Sequence, residues 1–145
     1  MGDVSRDLVT IMTTASIGYF PGDTDPDNGW EIFISQEPTT PDTTITLFNY
    51  SAGAPNPKWL LDDLGVQVRV RGAVNGYAAA EVKTQAIKDA LLGYPKTTIN
   101  SSKYIGIWTS VDAIFLGYDD SNRPVFVSSW RVIREPSSGT NRTAL

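Results

Sequence analysis

Val66, Val68 and Val70 alternate with Gln67, Arg69 and Arg71 between Gly65 and Gly72. A period of two places the valines on one face of a strand and the amide and two guanidiniums on the other. The chain must therefore build a sheet, cover its apolar face, and find a use for a polar face that carries two arginines. That use is exposure to water, binding of phosphate, or contact with another protein.

The neighbouring strands are legible in the same way. Trp30–Ser35, Thr44–Tyr50, Tyr104–Thr109, Ile114–Tyr118 and Val125–Arg134 have the β-branched and aromatic content of strands, and turn-forming residues bound them. Asp119-Asp120-Ser121-Asn122-Arg123-Pro124 reads as the hairpin turn before the last strand. Two segments offer cover. Val4, Leu8, Ile11, Met12 and Ala15 share one helical face, with Asp3 or Ser5 placed to cap its start and Gly18 its end, although the Thr, Val and Ile content leaves a strand as a rival. A second helix starts at Asn75 or Gly76, buries Tyr77, Ala80, Ile87 and Leu91, and stops at Gly93-Tyr94-Pro95. Residues 21–29 and 51–64 read as loops. Helix, three strands, helix, three strands is the order of a single α+β domain over residues 1–135, with two helices packed on a mainly antiparallel or mixed sheet. Residues 136–145 have almost nothing to bury and are expected to be disordered.

Charge and missing residue types narrow the function. The 145 residues include 12 basic and 16 acidic ones, a net charge of −4, which argues against binding driven by nucleic-acid phosphates. The chain has no histidine, the usual general acid or base near neutral pH, and no cysteine, so neither disulfides nor thiolate metal sites are possible. No apolar run approaches the roughly 20 residues of a membrane-spanning helix. Asp23, Asp25 and Asp27 superficially resemble a calcium loop. However, Gly29 falls one place late, Pro26 stiffens the loop, and Ile34 stands where a bidentate Glu is required, so a solvated acidic loop is the better reading. No nucleophile elbow or phosphate-cradling glycine loop is present. No catalytic group, metal or cofactor is therefore assigned. Gln67, Arg69 and Arg71 remain as a candidate subunit interface, suited to arginine's planar fork, and Trp59 joins them as an aromatic on a Pro-rich loop.

Several of these segments also carry a family likeness in their order. Ile45-Thr46-Leu47 comes first, followed by Gln67-Val68-Arg69-Val70-Arg71-Gly72, then Tyr77 and the Ala80–Leu92 helix. Tyr104-Ile105, Leu116-Gly117-Tyr118-Asp119 and Arg123-Pro124-Val125-Phe126 complete the series. Across residues 30–135 the chain resembles the tail terminator and minor capsid proteins of long-tailed, siphovirus-type bacteriophages. The resemblance implies a subunit that assembles with itself into a ring, typically a hexamer. Such a ring caps the tail tube, stops its polymerisation and forms the tail side of the head–tail joint. Implied partners are the major tail tube protein and a head-completion or neck protein, with DNA passing through without sequence-specific binding and no role for a membrane. The implied location is the virion, after synthesis in the host's cytoplasm. On this reading Asp23, Asp25 and Asp27 are candidates for a ring lumen. The alternatives are a head-completion or neck connector and, from a different class, a small Asp-dependent metal-binding enzyme.

Overall fold

The computed structural model describes residues 3–23, 29–51, 53–136 and 138–143. Two helices, α1 (Val4–Thr14) and α2 (Tyr77–Leu91), accompany six strands: β1 (Glu31–Ile34), β2 (Thr44–Ser51), β3 (Asp62–Arg71), β4 (Thr97–Ile99), β5 (Ser102–Tyr118) and β6 (Pro124–Arg134). The strands form one sheet in the order β1-β2-β3-β6-β5-β4. The β1–β2 pair is parallel and every other pair is antiparallel. This is the expected α+β architecture.

The alternation in β3 sets the two faces. Val66, Val68 and Val70 are at most 1% exposed. Across the ladders they stand opposite Ile45 and Leu47 of β2 and Phe126 and Trp130 of β6. Leu8, Met12 and Val4 from α1 and Ala80, Ile87 and Leu91 from α2 join this core. Fully burying an aliphatic side chain contributes about 1.5–3 kcal/mol, so the two helical stripes are what makes the sheet stable.

The helix ends follow local chemistry. Asp3 Oδ1 accepts from the Ser5 N–H at 2.9 Å, a side-chain cap on α1. The helix ends at Thr14 with Ala15 as its C-cap; Ser16 then takes φ +58°, and Ile17 N–H reaches back to Met12 O at 2.9 Å. Gly18, expected to end α1, has a different job: a Cβ there would sit 2.7 Å from Trp30 O, so glycine permits close packing against the chain entering β1. Gly93, at φ +72°, follows α2, and its N–H donates to Ile107 O at 3.0 Å.

The strand boundaries differ from the sequence reading in three places. β3 begins at Asp62, inside the expected 51–64 loop, because Asp62–Leu64 pair with Val132–Arg134. β4 was not expected. The segments read as separate strands at 104–109 and 114–118 form one strand, β5, with four register irregularities against β6. Such bulges insert unpaired residues and disturb the alternation on which the sequence reading depends.

Candidate functional site

On the face away from the helices, β3 presents Gln67, Arg69 and Arg71, as its pattern requires. Residues 35–43 connect β1 to β2 and bind both arginines. Arg69 Nε lies 2.9 Å from Glu37 Oε2, and Arg71 Nη1 lies 3.6 Å from Glu37 Oε1. Arg71 Nε donates to Asp42 O at 3.0 Å and Nη2 donates to Pro41 O at 2.7 Å. Arg71 is only 4% exposed. Burial lowers its pKa from the usual arginine value, and the nearby Arg123 charge lowers it further. Arg123, also buried, donates from Nη1 to Thr39 O at 2.7 Å and pairs with Asp42 at 3.2 Å and Asp119 at 2.8 Å. Arg71 and Arg123 therefore clasp residues 35–43 onto the sheet. Arg71 is spent on its own chain, while Gln67 and Arg69 are half-buried on the same face. The sequence could not supply this, because the groups that occupy the arginines lie in a turn-rich loop with no periodic signal.

Trp59 lies elsewhere, at the opposite end of β2 and β3, and is 54% exposed. It helps to line a groove of about 500 Å³ together with Tyr50, Leu64, Asp62, Asp63 and Arg142. Arg131 pairs with Asp63 through both arms of its guanidinium, which raises its pKa above the usual arginine value. The same guanidinium lies 5.8 Å from the Trp108 ring centroid. The structure thus does not gather Trp59 and the β3 arginines into one patch. Asp23 is exposed beside α1, with its N–H donating to Phe20 O at 2.9 Å. Asp25 and Asp27 lie outside the described residues. Among the described residues no group of three or more acidic side chains converges as a metal site would require.

The surface that sequence reasoning missed is β5. Trp108, Val111 and Ile114 are 39%, 48% and 50% exposed, and Leu116 and Tyr118 are 57% and 52% exposed. By register Trp108, Val111 and Ile114 stand opposite Arg131, Ser129 and Val127, on the face away from the helices. Near the hairpin, Phe115 packs edge-on against Tyr77 at 4.9 Å and Tyr118 at 5.5 Å. β4 pairs only with Ser102–Tyr104, so most of the outer edge of β5 extends past it. A long apolar edge of this kind is normally covered by another chain or blunted by charge. The clearest signal for it is the length of the proline-free Ser102–Tyr118 stretch.

A family model described as bacteriophage tail terminator protein matches residues 5–136. The chain belongs to the bacteriophage tail terminator family. It is thus a virion-associated structural protein of the phage tail, and its family works by assembly with other phage structural proteins rather than by catalysis. Among solved structures, it is similar to a chain of the virion of a native gene transfer agent particle. The TM-score is 0.59 and the identity 17%, over 93% of this chain and 87% of that one, a likeness of fold. No curated protein sequence matches. No helix among the described residues is long and apolar enough to cross a membrane.

Proposed function

We propose that this protein closes the growing end of a phage tail tube. Identical subunits form a ring, typically of six, that halts polymerisation of the tube protein and offers its other side to a head-completion or neck protein. The observation that carries this reading is the family match across residues 5–136. The apolar edge of β5 supports it, since a monomer gains nothing from exposing Trp108, Val111, Ile114 and Leu116. Gln67, Arg69 and Trp59 contribute to contacts between subunits. Arg71 acts there only by holding residues 35–43 in shape. The acidic balance suits a ring that lets DNA pass without gripping phosphates, with Asp23, Asp25 and Asp27 facing the lumen. Assembly takes place in the host cytoplasm before the ring enters the virion.

The test is direct. Purified protein added to polymerising tail tube protein is expected to fix tube length at the moment of addition, with one ring visible at the tube end. Tubes that continue to lengthen would contradict capping. Unchanged tube lengths combined with protein bound at the portal of filled heads would favour a neck connector instead.

A further inference from the structure

The C-terminal residues make a connection that capping a tube does not require. β6 ends at Arg134, whose register partner is Asp62 at the start of β3. Eight residues later the chain is back at the same place: Arg142 Nη1 lies 2.7 Å from Asp62 Oδ1, with side chains 19% and 24% exposed. The Thr143 N–H donates to Pro57 O at 3.2 Å, and Lys58 Nζ donates to Thr143 Oγ1 at 3.2 Å. These contacts seat residues 138–143 along the 53–61 loop, at the rim of the Trp59 groove.

The path between the two ends is far longer than it needs to be. Eight residues reach about 27 Å when extended, whereas paired strands are about 4.8 Å apart. The sequence between the two ends, Pro136-Ser137-Ser138-Gly139, has the composition of a linker. The near end is anchored, because the Glu135 N–H donates to Lys103 O at 2.9 Å and Glu135 pairs with Lys103 at 3.5 Å. The far end is held by one ion pair and two hydrogen bonds, each of which an identical copy could supply.

We propose that residues 138–143 are exchanged between subunits, so that in the ring Arg142 and Thr143 of one copy occupy the Asp62 and Pro57 seat of the next. The proposal rests on the ring reading given above. Exchange keeps every contact of the closed form, so it costs little, and it converts an internal contact into a link between neighbours. Once subunits sit side by side, the high local concentration of seats makes the linked form competitive with the closed one. The seat then couples ring closure to the shape of the Trp59 loop.

The chain has no cysteine, so positions can be labelled cleanly. Lys58→Cys and Thr143→Cys are made in separate preparations; both side chains are exposed. The preparations are mixed, assembled, and treated with a short bis-maleimide. The expected product is a species of twice the chain mass, present in the mixture and absent from either preparation alone. It should fall about fivefold when Arg142→Glu is added, as expected for loss of one partly exposed ion pair. A ring confirmed by mass, in which the mixture gives no such product while the double variant cross-links within one chain, overturns exchange and leaves the ring reading standing. A chain that stays monomeric by mass, even with tail tubes present, overturns the ring reading and the exchange together.

Discussion

Residues 35–43 are held against the sheet by two arginines that are themselves inside the protein, whereas residues 53–61 are held from outside by the C-terminal segment. Both segments flank β2, and both are rich in the residues that make turns. In the first, Arg71 and Arg123 supply guanidinium donors to Thr39, Pro41 and Asp42, and their charge is balanced by Glu37, Asp42 and Asp119. In the second, the contacts are Arg142 with Asp62, Thr143 with Pro57 and Lys58 with Thr143. A buried charge that loses its partners costs several kcal/mol, but a partly exposed pair such as Arg142–Asp62 is worth about one. The first loop therefore belongs to the fold, and the second can change its companion without unfolding the subunit.

The largest test of this contrast is Arg71→Ala. It leaves inward-facing carbonyls without a donor and Glu37 with less balancing charge, so a loss of about 3–5 kcal/mol is expected in denaturant unfolding. A loss below about 1 kcal/mol would mean that residues 35–43 are no better fixed than residues 53–61. Arg69, a third exposed, pairs with Glu37 from a wetter position, and Arg69→Ala is expected to cost about 1 kcal/mol or less.

Next in size is Tyr104→Phe, which probes the anchor from which the C-terminal segment departs. Tyr104 is 1% exposed, and its hydroxyl donates to Asp7 of α1. Arg134, the last residue of β6, lies within 3.4 Å of the same hydroxyl, and Asn100 Nδ2 donates to Asp7 at 2.8 Å. The variant is expected to lose about 1–3 kcal/mol at neutral pH, because Asp7 keeps its burial and loses a donor. Its pH dependence should differ too. Burial first, and then the hydrogen bond to Asp7, push the Tyr104 pKa well above the ordinary tyrosine value. A raised folded-state pKa means stability that is fully present below about pH 10 and lost as pH rises beyond it, because the unfolded chain releases the proton first. Wild-type protein should therefore lose stability above about pH 10 more steeply than Tyr104→Phe does, by up to about 1.4 kcal/mol per pH unit. Parallel curves would remove Tyr104 from this account.

The smallest expected effects on the monomer come from the 53–61 region. Trp59→Ala and Arg142→Glu should each change unfolding free energy by less than about 1 kcal/mol, since one side chain is largely exposed and the other makes a single ion pair. Both should nevertheless reduce the yield of assembled rings. A variant that unfolds the monomer would place this loop in the same class as residues 35–43.

The sequence revealed those elements whose burial follows a period. Val66, Val68 and Val70, the α1 stripe through Leu8 and Met12, and Ala80, Ile87 and Leu91 of α2 all lie where their spacing put them. It was silent where pairing depends on distant partners. Asp62 and Asp63 read as loop residues because nothing local reveals that Arg142 and Arg131 wait for them. β5 read as two strands because bulges shift its alternation. Arg69 and Arg71 were correctly assigned to one face, yet only the tertiary structure shows that residues 35–43 take up most of what that face offers.

The central claim is that this protein stops tube growth, and the most direct measurement is the length of tails made without it. Lysates of a phage lacking this gene, viewed by electron microscopy, are predicted to contain tails well beyond the normal length and unattached to heads. Tails of normal length lying beside tail-less heads would contradict the claim.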